Sequence, residues 1–300
     1  MSVDERPAGT GTSGGLATAV GAASGPGPLA PLVGADSDRS RALTRAWAGT
    51  WPKVGAVVAF VAIWQAVVLS GWRPEFVLPA PLTVAQTLGD LVREPEFWQA
   101  IGTTLRRALV GFAFAIAIGT VVGIAVSRFR PVRAAIGSLI TGLQTMPSIV
   151  WFPLAILLFG LNEQAITFVV ILGAAPSIAN GIISGIDHVP PAFTRLGTVL
   201  GAGSVDLYRH FVIPAALPSY VAGLNQGWAF AWRSLMAGEL LVIIEGKPSL
   251  GSRLSFAQDF NNAPELIAYM LVILVLGMLA DTVFSSQSRR MRRRRGLAVD

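Results

Sequence analysis

Residues 105–126 read LRRALVGFAFAIAIGTVVGIAV. Once past the two arginines, this stretch carries no charge and matches the roughly 20 apolar residues, rising 1.5 Å each, that a helix needs to cross a bilayer. Similar apolar segments lie at 54–70, 134–159, 165–186, 217–244 and 266–284, separated by polar stretches. The whole chain is 53% hydrophobic and only 13% charged, with a mean hydropathy of +0.60. Soluble domains carry roughly 25% charge, so a chain this poor in charge needs lipid as the solvent for much of its surface. The expected fold is all-α: a polytopic membrane protein with about six transmembrane helices.

The charge pattern suggests how those helices are oriented. With the N-terminus placed in the cytoplasm, 16 of the 23 Lys and Arg residues fall on cytoplasmic pieces. The positive-inside rule therefore favours both termini in the cytoplasm. Residues 1–45 are rich in Gly, Ala, Ser, Thr and Pro without apolar periodicity and read as a disordered cytoplasmic tail. Residues 46–285 form the transmembrane domain, and 286–300 a basic cytoplasmic tail containing RRMRRRR at 289–295. Directly after an apolar helix, that run reads as an anchor to acidic headgroups. The net charge of +6 is spread over helix ends, so no nucleic-acid partner is expected.

Several chemistries are excluded. Cysteine is absent, so there is no thiolate nucleophile or thiolate metal site. His188 and His210 have no accompanying acidic cluster, so no metal site is read. Gly9-x-Gly11-x-x-Gly14 has neither the strand nor the helix that a dinucleotide site requires. No phosphate-binding G-x-x-x-x-G-K-[ST] is present: Pro248 occupies the Ser/Thr position after Gly246-Lys247. No catalytic residue is assigned, no cofactor is expected on this chain, and the chain is not read as an enzyme.

Polar residues inside the apolar segments carry more content. Arg233 and Glu239 lie within 217–244, where a charge costs at least about 2.5 kcal/mol on insertion scales. Each is read either as a pathway residue or as one half of a structural ion pair with another helix. Six residues apart, they project in different directions and are not expected to pair with each other. Asn225, Gln226 and Trp228 share that segment. Gln144, Met146 and Pro147 open a polar, then broken, stretch of the third segment, with Pro153 beyond. The candidate pathway set is therefore Gln144, Met146, Pro147, Asn225, Trp228, Arg233 and Glu239, with helix packing as the alternative. Gly119 and Gly123, Gly181 and Gly185, and Gly223 and Gly227 recur at four-residue spacing, a signal for close helix packing.

Two connections are longer than linkage requires. The outer one, 73–102, contains Leu78-Pro-Ala-Pro81 and then a predicted helix over 83–93, with Thr83 as N-cap. The cytoplasmic one, about 187–216, has Pro190-Pro191 at one end and Pro214 and Pro218 at the other, which predicts one or two short helices between breaks.

Within that second connection, Leu200–Pro218 (LGAGSVDLYRHFVIPAALP) resembles the EAA loop of bacterial ABC importer permeases. Gly201 falls on the loop glycine and Ile213-Pro214 on its Ile/Leu-Pro ending. Arg195-Leu196-Gly197 stands where the family has EAA, a departure that affects the first coupling contacts. Phe76-Val-Leu-Pro-Ala-Pro81, Met146–Leu154 with Phe159-Gly160, and Ala231–Glu239 are similar to elements of the nitrate/sulfonate/taurine group.

The resemblance covers residues 54–285 and implies a homodimeric pathway driven by separate cytoplasmic ABC ATPase subunits, which would hold the ATP and Mg. It also implies an extracytoplasmic substrate-binding protein and a location in the bacterial cytoplasmic membrane. It assigns ATPase coupling to Phe193, Arg195, Leu196, Gly197, Leu200, Gly201, Ala202, Asp206, Tyr208, Arg209 and Pro214. The implied cargo is a small anion: a sulfonate, taurine or nitrate. A permease for a thiamine precursor or other small metabolite is the nearest alternative. An ion-gradient-driven secondary transporter is a further one, against which the EAA-like loop argues.

Overall fold

The computed structural model describes residues 51–294. The tail expected over 1–45 and the end of the basic tail, 295–300, lie outside them. Among the described residues all regular structure is helical. The chain divides at Val61/Ala62 into two units, and the first helix, α1 (Trp51–Leu69), runs across the division.

In the unit from Ala62 onward, the order is α2 (Pro81–Leu91), α3 (Pro95–Arg128), α4 (Arg130–Thr145), a 3₁₀ turn (Ser148–Trp151), α5 (Phe152–Phe159) and α6 (Glu163–Asp187). Then come α7 (Pro191–Val199), α8 (Ser204–Leu207), a π-helical turn (Tyr208–Val212), α9 (Ile213–Leu241), α10 (Leu250–Asp259) and α11 (Ala263–Arg294).

The bundle is built around α6, which packs on α3 along one side and on α9 along the other. Small residues set the spacing. A Cβ built on Gly119 would lie 2.6 Å from the Ala175 carbonyl oxygen, and one on Gly181 would lie 2.8 Å from Gly223 Cα. The four-residue glycine spacing thus marks close helix approaches of α6 with α3 and with α9. Between them lies the main core, with Phe112, Phe152, Ile166, Ile178, Trp228 and Leu235 buried. Asn162 caps α6: its Oδ1 accepts from the Gln164 and Ala165 amides at 2.8 and 3.3 Å. A smaller core at the N-terminal end of α3 joins α2, α3, α10 and α11 through Val84, Phe97, Leu250 and Tyr269.

The all-α reading with about six spans meets four described helices that are long and apolar enough to cross a membrane, five if one bent pair counts as a single span, with the long α9 beside them. That pair is the expected third segment, 134–159. It is a helix, a break and a second helix, bent by 108°. Proline explains the break: Met146, preceding Pro147, is forced to the extended region (φ −77°, ψ 131°), and Pro147 offers no amide to α4. Pro153, by contrast, sits in the first turn of α5, where its missing N–H is not needed. α9 is long enough at 29 residues but falls outside the set on composition, because Asn225, Gln226, Arg233 and Glu239 dilute it.

Thr83 does not cap α2. The helix starts two residues earlier at Pro81, whose fixed φ is preorganised for a first turn. Pro218 lies inside α9 and does not mark a break, whereas Pro214 is in its first turn. α3 extends ten residues upstream of 105 to Pro95. α11 continues past the expected end at 284 into the basic run as far as Arg294, since no Pro or Gly interrupts it before Gly296.

Candidate functional site

Between α6 and α9, at one end of the bundle, the predicted coupling segment folds as a helix–turn–helix. Pro191 opens α7 in its first turn. The helix ends in a Schellman arrangement: the Ala202 amide donates to the Gly197 carbonyl and the Gly201 amide to the Thr198 carbonyl, each at 3.0 Å. Gly201 takes φ +77°, with nothing within 4 Å of where a Cβ would stand. Its glycine is needed for the left-handed turn and not for a close approach. Gly197 has the opposite reason: it is buried, and a Cβ there would collide with Leu207 and Phe211.

With Gly197 turned inward, α7 presents Phe193, Leu196 and Leu200 to the exterior, joined by Val199, which is 85% exposed. Tyr208 is exposed as well, and Arg195, Asp206 and Arg209 stand exposed around the patch. Pro214 and Ala202 are half-buried behind it. The structure therefore gathers the predicted loop residues at one end of the bundle, most of them outward-facing.

The seven pathway candidates are dispersed. Gln144 Nε2 donates to Ser177 Oγ at 3.0 Å, tying the end of α4 to α6. Met146 and Pro147 are exposed at the break. Asn225 is half-buried, and its Oδ1 has no partner among the described residues. Trp228 is core, packed edge-on against Phe112 with ring centroids 5.2 Å apart. Arg233 is exposed, its guanidinium 5.9 Å from the Phe230 ring centre. Gln226, seven residues before it and on the same face of α9, is also exposed.

Glu239 belongs to a different construction. Its Oε1 accepts from Arg107 Nη1 at 3.0 Å, and its Oε2 from Thr104 Oγ1 at 2.8 Å and the Gly251 amide at 3.1 Å. Arg107 in turn grips Glu163 with two bonds of 2.9 Å, and Lys247 Nζ reaches the same carboxylate at 3.2 Å. Thr104 Oγ1 also accepts from the Leu250 amide at 3.0 Å. Four charges from α3, α6, α9 and the α9–α10 connection thus close on one another at the end of the bundle opposite the coupling segment. The N-terminus of α10 points two amides into this cluster, where its dipole favours a carboxylate. Arg107, Glu163, Lys247 and Thr104 were not singled out from sequence. The available signal was Arg107 itself, a charge at the edge of an apolar run.

These features define a polytopic α-helical membrane protein with a helical loop displayed at one end of its bundle. The family model described as "Binding-protein-dependent transport system inner membrane component" matches residues 115–293, and the chain belongs to that family. An ABC transporter permease protein of Methanocaldococcus jannaschii is 32% identical over 178 residues, 59% of this chain and 66% of that relative. An aliphatic sulfonates transport permease protein of Escherichia coli is 28% identical over 224 residues, covering 75% and 84% of the two chains. The bicarbonate transport system permease protein of Synechococcus elongatus is 27% identical over 240 residues, covering 76% and 84%. In fold, the chain is similar to an inward-facing structure of the MetNI methionine ABC transporter, with a TM-score of 0.56 at 19% identity, covering 66% of this chain and 98% of that one.

Proposed function

We propose that this chain is the membrane-spanning subunit of an ATP-driven importer for a small anion, a sulfonate, taurine or nitrate being the leading cargo. Two copies form the pathway. Cytoplasmic ATPase subunits hold ATP and Mg, and an extracytoplasmic binding protein delivers cargo at the other face. Both termini lie on the cytoplasmic side of the bacterial cytoplasmic membrane, together with the α7–α8 segment.

One observation carries the coupling half of this reading: the exposed apolar face of α7. A contiguous apolar patch rimmed by charge at the end of a bundle marks a protein-binding surface. Phe193, Leu196 and Leu200 follow the i, i+3, i+7 pattern of a helix laid in a partner's groove. Closure of the ATPase pair would move α7 and, through the Gly201 turn and the π-helical turn, the start of α9. That drives a rigid-body rocking of the two bundles.

Cargo chemistry is supported by α9, which presents the exposed Gln226 and Arg233 on one face. Across a two-fold axis, this face would line a polar path with one guanidinium from each copy. The sulfonate and bicarbonate relatives are both named for anions. The test is uptake of labelled taurine, alkanesulfonates and nitrate in cells with Phe193→Asp and Leu196→Asp introduced together. Uptake and ATPase co-purification are expected to fall together while the subunit still inserts. Full transport by the doubly substituted chain would refute the coupling assignment.

A further inference from the structure

At the coupling end of the bundle, α3, α6, α8, the π-helical turn and the start of α9 line a half-open cavity of about 820 Å³. Its wall is made by Ile124, Ile182, Ile186, Ile213 and Leu217. The hydroxyls along it are largely committed: Thr120 Oγ1 and Tyr220 Oη bond each other at 3.0 Å, and Ser127 Oγ donates to the Gly123 carbonyl at 2.8 Å. Two exposed guanidiniums, Arg128 and Arg209, complete the lining. Among the described residues neither has an ion-pair partner, whereas nearby Arg133 is bound to Asp187.

We propose that this cavity is a binding site for one anionic phospholipid. An acyl chain would lie along the isoleucine wall, and the headgroup phosphate between Arg128 and Arg209. Charge complementarity and the split of the lining select this occupant. An apolar wall offers nothing to a small hydrated anion, which would have to shed water against isoleucine without replacement bonds. Two unpaired cations offer nothing to a purely apolar occupant. An amphiphile with a negative head satisfies both, and basic pockets between transmembrane helices are suited to such headgroups. The site touches Tyr208, Arg209 and Ile213, the turn joining α8 to α9, so occupancy would stiffen that joint. Neither the identity of the cargo nor that of the ATPase bears on this site.

The experiment uses the full chain, delipidated in neutral detergent, with bound lipid counted by native mass spectrometry. Phosphatidylglycerol and phosphatidylcholine of matched acyl chains are compared, with glycerol 3-phosphate as a headgroup-only arm. One phosphatidylglycerol is expected to be retained in preference to phosphatidylcholine, with weakened retention at high salt. Arg128→Gln with Arg209→Gln should weaken it roughly thirtyfold, since each basic residue near an anionic headgroup contributes somewhat under a factor of ten. Arg130→Gln, an exposed arginine at the same end but outside the lining, should leave it unchanged. Should the double variant fail to fold, the salt dependence and headgroup preference of the unaltered chain decide instead. Equal retention of the two lipids would overturn the proposal. So would unchanged retention in the folded double variant, tight binding of glycerol 3-phosphate alone, or a cavity closed to lipid by a second copy of the chain.

Discussion

Arg107 and Glu239 lie 132 residues apart in sequence and meet at 3.0 Å, with side chains 4% and 0% exposed. This contact ties α3 to α9, and Glu163 and Lys247 extend it to α6 and to the connection before α10. Removing Arg107 strands the Glu239 carboxylate in a dry site, which costs about 3–5 kcal/mol, whereas removing Glu239 leaves Arg107 gripping Glu163 and should cost less. Arg107→Ala should therefore lower thermal stability sharply, read as the midpoint of aggregation in detergent. Arg107→Ala with Glu239→Ala should cost less than the two single losses added together, because partners in one network couple. Additive losses would show that the contact holds little.

The α6–α9 crossing makes a separate prediction. Gly181 and Gly223 approach so closely that a Cβ on either would stand 2.8 Å from the other's Cα. Gly223→Val should prise the helices apart and strongly reduce folded yield, measured by monodisperse recovery in detergent. Gly137→Ala on α4, where nothing lies within 4 Å, should leave yield unchanged or slightly improve it through helix propensity.

These two cases show what the chain discloses before it folds. Apolar length exposes α3 and α6, and four-residue glycine spacing marks close crossings of α6 with α3 and α9, since both follow from local sequence. The break before Ser148 is also local, carried by Met146-Pro147 and anticipated by the polar, then broken, reading of the third segment, whereas the 108° bend between its two halves is not local. The ion cluster is not local. Nothing near Arg107 names Glu163 or Glu239, and only the fold brings residues from three helices and a connection together. Glu239 thus reads from sequence as either a pathway residue or an ion-pair partner, and only the fold supplies the partner, Arg107. At Thr83, a good capping residue is outcompeted by a proline two positions earlier.

The turn after α7 predicts an ordered series at Gly201. The position needs φ +77°, which β-branched residues almost never adopt and Asn tolerates. Gly201→Val should cost about 1–3 kcal/mol locally and Gly201→Asn much less. Limited proteolysis of 198–205 should rise in the order Gly, Asn, Val, and coupling to an ATPase should fall in that order. If a bulky residue with permitted backbone freedom behaves like Gly, the steric account of this turn is ruled out and the backbone account stands.

On α9, pathway and scaffold roles separate at Arg233. It is exposed and, among the described residues, makes only a ring contact with Phe230, so its loss should leave stability within about 0.5 kcal/mol. If its guanidinium meets an anion in transit, Arg233→Gln removes a charge-assisted bond of about 1.5–3 kcal/mol, and the KM for uptake should rise roughly tenfold or more. Arg233→Lys keeps the charge but loses the planar fork, so it should fall between the two. A cargo lacking negative charge would give the reverse: transport would then be indifferent to Gln and Lys alike, with stability unchanged. Uptake kinetics beside a melting curve therefore test the anion reading directly, because a merely structural arginine would move the second measurement before the first.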